Sequence, residues 1–118
     1  MEIIVGMKAE VFSNVEREDT AKEVGSGDLL VYATPFMVAL MEGAACESIA
    51  PFLAEGESSV GTMMQVNHIS ATPVGMEVRA ESIVTAVEGR KVSFDIVAWI
   101  CGGQDALFSR IIYTVVAL

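Results

Sequence analysis

Two hydrophobic periods run along this chain, one helical and one alternating. The helical one is a single stretch. From Phe36 to Ala50 the only charged residues are Glu42 and Glu47. Met37, Leu40, Met41, Ala44 and Ala45 recur at helical spacing, and Val38, Ala39, Cys46 and Ile49 fill most of the remaining circumference. A helix this apolar nearly all round is expected in the middle of a fold. Thr34 reads as its N-cap, with Pro35 at the first helical position, where a missing N–H costs nothing. Pro51 ends or kinks it, and Gly56 lies in the turn beyond.

The rest of the chain has period two. Met7 to Val15 places Met7, Ala9, Val11, Ser13 and Val15 on one face, as a half-buried strand does. Thr20 to Val24 reads as a short strand, followed by a flexible loop at Gly25-Ser26-Gly27-Asp28. Val60 to Ile69 alternates, with Val60, Thr62, Met64, Val66 and His68 on one face; Gly61 inside it marks a bulge or a close approach. Three longer strands follow, at Met76 to Glu88, Arg90 to Cys101 and Ala106 to Leu118, separated by Gly89 and by Gly102-Gly103-Gln104-Asp105. Roughly five strands and one apolar helix predict an α+β domain, a twisted and mostly antiparallel sheet wrapped around one long buried helix. No repeat or linker interrupts residues 1–118, so one domain is expected.

Composition narrows the class. At 118 residues with 53% hydrophobic and 19% charged positions, the chain is long enough for one real core. Its net charge of −9 argues against nucleic acid or an anionic membrane surface as partner. The mean hydropathy of +0.52 is high for so small a chain, yet no apolar run reaches membrane-spanning length and no leader is visible. The excess apolar surface predicts contact between subunits, a homodimer or a higher assembly. Cys46 and Cys101 both lie in apolar segments, reading as reduced core residues of a cytoplasmic protein, and no metal-ligand spacing is present.

Three polar groups stand out against this background. Glu42 sits among Val38, Ala39, Ala45 and Cys46, where a carboxylate is paired, protonated or working. From the helix alone a structural acid and a functional one fit equally. His68, the one histidine, shares the more apolar strand face, and by itself it reads as a hydrogen-bonded core histidine. With Thr34 they supply a hydroxyl, a carboxylate and an imidazole, the groups that acyl transfer requires.

The motifs Ala33-Thr34-Pro35, Leu40-Met41-Glu42, Ala50-Pro51-Phe52, Gly61 and the run His68-Ile69-Ser70-Ala71-Thr72-Pro73-Val74-Gly75 carry a resemblance. They resemble the hotdog-fold thioesterases, and most closely the fluoroacetyl-CoA thioesterase-like family, from about Gly6 to the last strand. The resemblance implies a hotdog fold and hydrolysis of a small or medium acyl-CoA by Thr34, Glu42 and His68, which match that family's trio in order and spacing. It implies a dimer or higher assembly with sites near the subunit interface. It also places Gly61 at the substrate, and it implies no cofactor beyond the CoA thioester itself. Glu42 would then be general base or nucleophile, His68 a proton shuttle, and Thr34 the hydroxyl that positions water or attacks. Backbone amides from Phe36 onward, with Gly61, are candidates for the oxyanion site. Arg79, Arg90 and Lys91 are candidates for the CoA phosphates, although solvated strand charges describe each as well. Where the fluoroacetate-specific relative carries aromatic residues ahead of the helix, this chain has Gly25-Ser26-Gly27-Asp28. An open site that takes acyl groups larger than acetyl is therefore expected. Two rival readings use the same fold: a non-catalytic protein that binds an acyl or other apolar ligand, and a hydratase that leaves the thioester whole. Release of free thiol separates both from the hydrolase.

Overall fold

A computed structural model of the chain describes residues 2–68, 70–101 and 105–117. Five strands form one antiparallel sheet: β1 (Lys8–Asn14), β2 (Glu57–His68), β3 (Glu77–Glu88), β4 (Lys91–Ile100) and β5 (Asp105–Ala117), in the order β1-β3-β4-β5-β2. A short helix, α1 (Ala21–Val24), precedes the long one, α2 (Thr34–Ile49), which runs into a single 3-10 turn at Ala50–Phe52. This is the α+β arrangement of sheet and long helix that the two periods predict.

The sheet core follows the alternation closely. Val78, Ala80, Ser82 and Val84 of β3 and Val92, Phe94, Ile96 and Ala98 of β4 are all buried. From α2, the residues Met37, Met41, Ala44, Ala45 and Ile49 complete the same cluster. Helix and sheet are also joined by one buried polar bond, in which the Ser82 hydroxyl donates to the Ala44 carbonyl at 2.8 Å. Ala44 and Ala45 are small enough to let the backbone of α2 approach β3 this closely.

Four expectations change. The helix is not buried all round, because the sheet covers one side only; Phe36, Ala39 and Glu47 on the other side are exposed. Thr34 is not the N-cap. Ala33 holds that place without a side-chain bond, and Pro35 follows inside the first turn. Thr20 to Val24 is not a strand but the cap and body of α1, with the Thr20 hydroxyl accepting from the Glu23 amide at 3.4 Å. The loop at residues 25–28 is not loose: Ser26 N–H donates to the Ala21 carbonyl at 3.0 Å, and Lys22 N–H to the Leu29 carbonyl at 3.0 Å. Gly25 makes the turn possible, with φ of 78° at the end of α1.

Strand β2 is an edge strand and differs from β3 and β4. Its middle is exposed on both faces, with Val60 48% and Met64 41% accessible. The expected irregularity at Gly61 is a register shift between Gly61 and Met63. No helix among the described residues is long and apolar enough to cross a membrane.

Truncating the buried stripe of α2 checks this packing. Met41→Ala should lower stability by about 2–5 kcal/mol, as large core truncations do. Ser82→Ala, which removes one neutral hydrogen bond, should lower it by about 1 kcal/mol. Urea unfolding of the two variants, side by side, measures both.

Candidate active site

The first residue of α2 and the last residue of β2 meet. Thr34 Oγ1 and His68 Nδ1 are 2.7 Å apart. Backbone bonds set this meeting. Tyr32 N–H donates to the Thr72 carbonyl at 2.8 Å, and Val31 bridges Pro73. The segment entering α2 is thereby stitched to the segment leaving β2, and the hydroxyl and imidazole face each other as a result. Since Ala33 occupies the cap position, the Thr34 hydroxyl is not engaged in capping and is available to the histidine.

The pair opens onto a cavity of about 340 Å³. Ala21, Val31 and Ala71 supply apolar wall, Tyr32 adds a buried ring, and Ser26 and Ser70 add hydroxyls. Ser26 belongs to the loop that follows α1, so the segment ahead of the long helix forms one side of the cavity. Ala33 N–H donates to the Asp19 carbonyl at 2.9 Å and Ala21 N–H to the Val31 carbonyl at 2.8 Å, which fixes that side against α2.

Electrostatics follow from burial. Desolvation pushes the His68 imidazole below the ordinary 6.5, and a backbone contact with Ser70 opposes this. Its Nε2 is buried and has no hydrogen-bond partner among the described residues. A neutral imidazole with one nitrogen on a hydroxyl is arranged to accept a proton near neutral pH. Tyr32 titrates above its ordinary 10.0, first because it is buried and then because the Asp19 carboxylate is close; a bond with the Ser13 hydroxyl acts the other way. The Tyr32 hydroxyl donates to the Phe36 carbonyl at 3.4 Å.

The remaining residues singled out from the sequence lie elsewhere in the chain. Glu42 is half-buried on α2 and is not among the residues that line the cavity. It lies eight residues beyond Thr34, about 12 Å along the helix axis and about 80° around it. Gly61 is exposed at the β2 bulge, and seven strand residues put it about 23 Å from His68. The Phe36 amide is not free: it donates to the Ala33 carbonyl at 3.1 Å, because the first turn of α2 closes tightly behind Pro35. Arg79 pairs with Glu10 at 3.6 Å and lies 4.1 Å over the Trp99 ring, while Arg90 pairs with Glu57 at 3.4 Å. Lys91 is exposed at the start of β4. Among the described residues no cluster of His, Cys, Asp and Glu could hold a metal ion. Sequence reasoning did not single out Ser26 and Ser70 as site residues. Both nevertheless fall in stretches it quoted, the loop before the helix and the run beginning at His68.

The lowered His68 pKa has a consequence for stability. Unfolded histidine titrates near 6.5, above the folded value, so the unfolded chain binds the proton more readily. The stabilisation tied to the neutral ring is complete above about 6.5 and is lost as pH falls through the folded value. Because the chain has a single histidine, one imidazole resonance reports it. Its NMR titration midpoint should fall below 6.5, the ordinary value. Urea midpoints should decline from pH 7 to pH 5, less steeply in His68→Gln. A midpoint at or above the ordinary value would contradict the burial argument.

Comparison with known proteins gives a consistent result. Residues 15–106 match the family described as fluoroacetyl-CoA-specific thioesterase. The fluoroacetyl-CoA thioesterase of Streptantibioticus cattleyicolor is 46% identical over 68 residues, which is 58% of this chain and 49% of that protein. The chain thus matches about half the length of that curated relative. A solved structure of a fluoroacetyl-CoA thioesterase is 31% identical and superposes with a TM-score of 0.91, covering 100% of this chain and 91% of that one. A variant of the fluoroacetyl-CoA-specific enzyme, solved with fluoroacetate and CoA, is 31% identical with a TM-score of 0.91 over 98% of this chain and 97% of that chain. A thioesterase superfamily member from Thermus thermophilus is 30% identical with a TM-score of 0.91, covering 98% of this chain and 85% of that chain. The fold is that of the hotdog thioesterases, and the chain belongs to the fluoroacetyl-CoA-specific thioesterase family.

Proposed function

We propose that this chain is a cytoplasmic acyl-CoA thioesterase, a single hotdog domain that hydrolyses small or medium acyl-CoA. The observation that carries the reading is the hydroxyl–imidazole pair of Thr34 and His68, 2.7 Å apart at the edge of a cavity. In the reaction the oxygen of water bonds to the acyl carbon and the carbon–sulfur bond breaks. The products are a carboxylic acid and free thiol. Thr34 holds the water or makes the attack itself. His68 takes the proton and returns it to the departing sulfur. Glu42, which does not line this cavity in its own chain, would supply the carboxylate, as base or nucleophile, from a second copy of the chain.

Assembly belongs to the same proposal. With Gly61 about 23 Å from His68 along one strand, the two serve one site only if two chains contribute. Strand β2 offers the means. It lies at the sheet edge, and from Ser58 to Asn67 it has no charged residue. Edge strands left unpaired normally carry charge or are covered. Antiparallel pairing of two copies about an axis near Met64 and Gln65 would set Gly61 of the partner subunit opposite His68. Each site would then hold Thr34 and His68 from one chain and the bulged backbone from the other.

The direct test is thiol release across a panel of acyl-CoA chain lengths. Butyryl-CoA should be cleaved at least as efficiently as acetyl-CoA, without a strong preference for fluoroacetyl-CoA. One small substituent in an apolar pocket is worth only about 1–3 kcal/mol even when the fit is tight, and the loop at residues 25–28 has no bulky side chain. Glu42→Gln should still fold and bind but lose turnover by on the order of a hundredfold or more. Binding without turnover by the unaltered chain would favour the non-catalytic reading.

Light scattering at micromolar concentration should show a dimer or a larger assembly. Met64→Glu, which places like charges beside the proposed axis, should shift it toward monomer and reduce thiol release. A purely monomeric active protein would rule out the shared site.

A further inference from the structure

We infer that the cavity beside Thr34 and His68 selects acyl groups with a neutral polar substituent, a hydroxyl or an oxo group, a few carbons from the thioester. The inference rests on the thioesterase reading and goes further, to the class of acyl group.

The lining is the first argument. A cavity made only for a hydrocarbon chain is lined by apolar side chains, with few polar groups. Here the lining that accompanies the Thr34–His68 pair mixes two hydroxyls, Ser26 and Ser70, with Ala21, Val31 and Ala71. The two serines come from different segments, the loop after α1 and the stretch after β2, so the fold brings both to one cavity. Beside them, His68 Nε2 is buried without a partner among the described residues. A saturated chain in this space would desolvate the two serine hydroxyls and return no hydrogen bond, which is unfavourable. A hydroxyl or carbonyl on the chain would supply the bond.

Charge is the second argument, and it decides the kind of polar group. The segment forming this side of the cavity contains Glu16, Glu18, Asp19, Glu23 and Asp28 against Arg17 and Lys22. Arg17 is already paired with Glu23 at 3.3 Å. Asp19 is near enough to Tyr32, a cavity residue, to push the phenol's titration upward. An acyl group ending in a carboxylate would meet this field and be repelled. A neutral hydroxyl or oxo group would not.

Size is compatible. A cavity of about 340 Å³ has the space of on the order of ten water molecules. A four-carbon acyl group with one oxygen substituent fits without filling it.

The experiment compares butyryl-CoA, 3-hydroxybutyryl-CoA and succinyl-CoA, reading thiol release and, in parallel, binding by calorimetry. The hydroxylated substrate should be favoured over butyryl-CoA by about tenfold in kcat/KM, the worth of one neutral hydrogen bond. Succinyl-CoA should be the poorest of the three. In Ser26→Ala and Ser70→Ala the ratio of hydroxybutyryl to butyryl should fall toward one. Butyryl-CoA equal to or better than hydroxybutyryl-CoA in both readouts would overturn the inference, as would serine variants that leave the ratio unchanged. Tighter binding of the hydroxylated thioester without any thiol release would support the polar pocket while removing the hydrolase reading beneath it.

Discussion

The rest of the molecule depends on how closely α2 approaches the sheet. Its buried stripe runs Met37, Met41, Ala44, Ala45, Ile49, large at the ends and small in the middle. The small pair faces β3, and the Ser82 hydroxyl reaches the Ala44 carbonyl through that gap. A larger residue at position 44 or 45 would push the helix off the sheet and break the bond with it. The bond is modest in energy, about 1 kcal/mol, but it is directional where hydrophobic contact is not. It sets where α2 sits along β3, and therefore where the helix begins.

Where the helix begins decides what Thr34 can touch. Thr34 would be an ordinary cap if the chain entered one residue later. Instead the bonds from Tyr32 to Thr72 and from Ala33 to Asp19 draw the entering segment between α1 and the stretch after β2. Ala33 takes the cap position, and the threonine hydroxyl turns to His68. The helix gives up a side-chain cap, a loss on the order of 1 kcal/mol, and gains a hydroxyl held against an imidazole. The neutral form of that imidazole is favoured by its partial burial.

Much of this was legible in the sequence, for identifiable reasons. Strands β3 and β4 show the period from Val78 to Val84 and from Val92 to Ala98 because one face is core and the other only half-buried, although Ser82 is a polar member of the inward set and the register shifts after Val84. The glycine at position 61 announced the bulge. Thr34 and His68 were readable as a pair through the family resemblance, not through their spacing, since 34 residues of chain separate them. The misreadings have local causes. Thr20-Ala21-Lys22-Glu23 has the threonine-to-glutamate spacing of a helix start, a signal that a strand reading of Thr20 to Val24 does not use. The loop at residues 25–28 looked loose because two glycines suggest freedom. What the sequence does not display is the set of backbone bonds that closes it. The exposure of one α2 face was hidden for another reason: an apolar surface looks the same in sequence whether its own sheet or a second chain covers it.

The charge balance bears on how a CoA thioester would bind. A net charge of −9 opposes an anionic carrier, but at physiological salt it is screened over about 8 Å. The groups near the site therefore matter more than the sum. The described arginine side chains are committed to carboxylates: Arg17 to Glu23, Arg79 to Glu10 and Arg90 to Glu57. An arginine in such a pair attracts a phosphate only against the repulsion of its own carboxylate. Long-range steering, which speeds association where a cleft has the opposite charge, is then weak for such a substrate. Lys91, exposed at the start of β4, is in none of these pairs, and short-range contacts along the acyl group and the uncharged part of the carrier would supply the rest of the affinity. On the proposed reading, that would place the weight of recognition on the cavity beside Thr34 and His68, where one hydroxyl more or less on either side of the contact would change the balance.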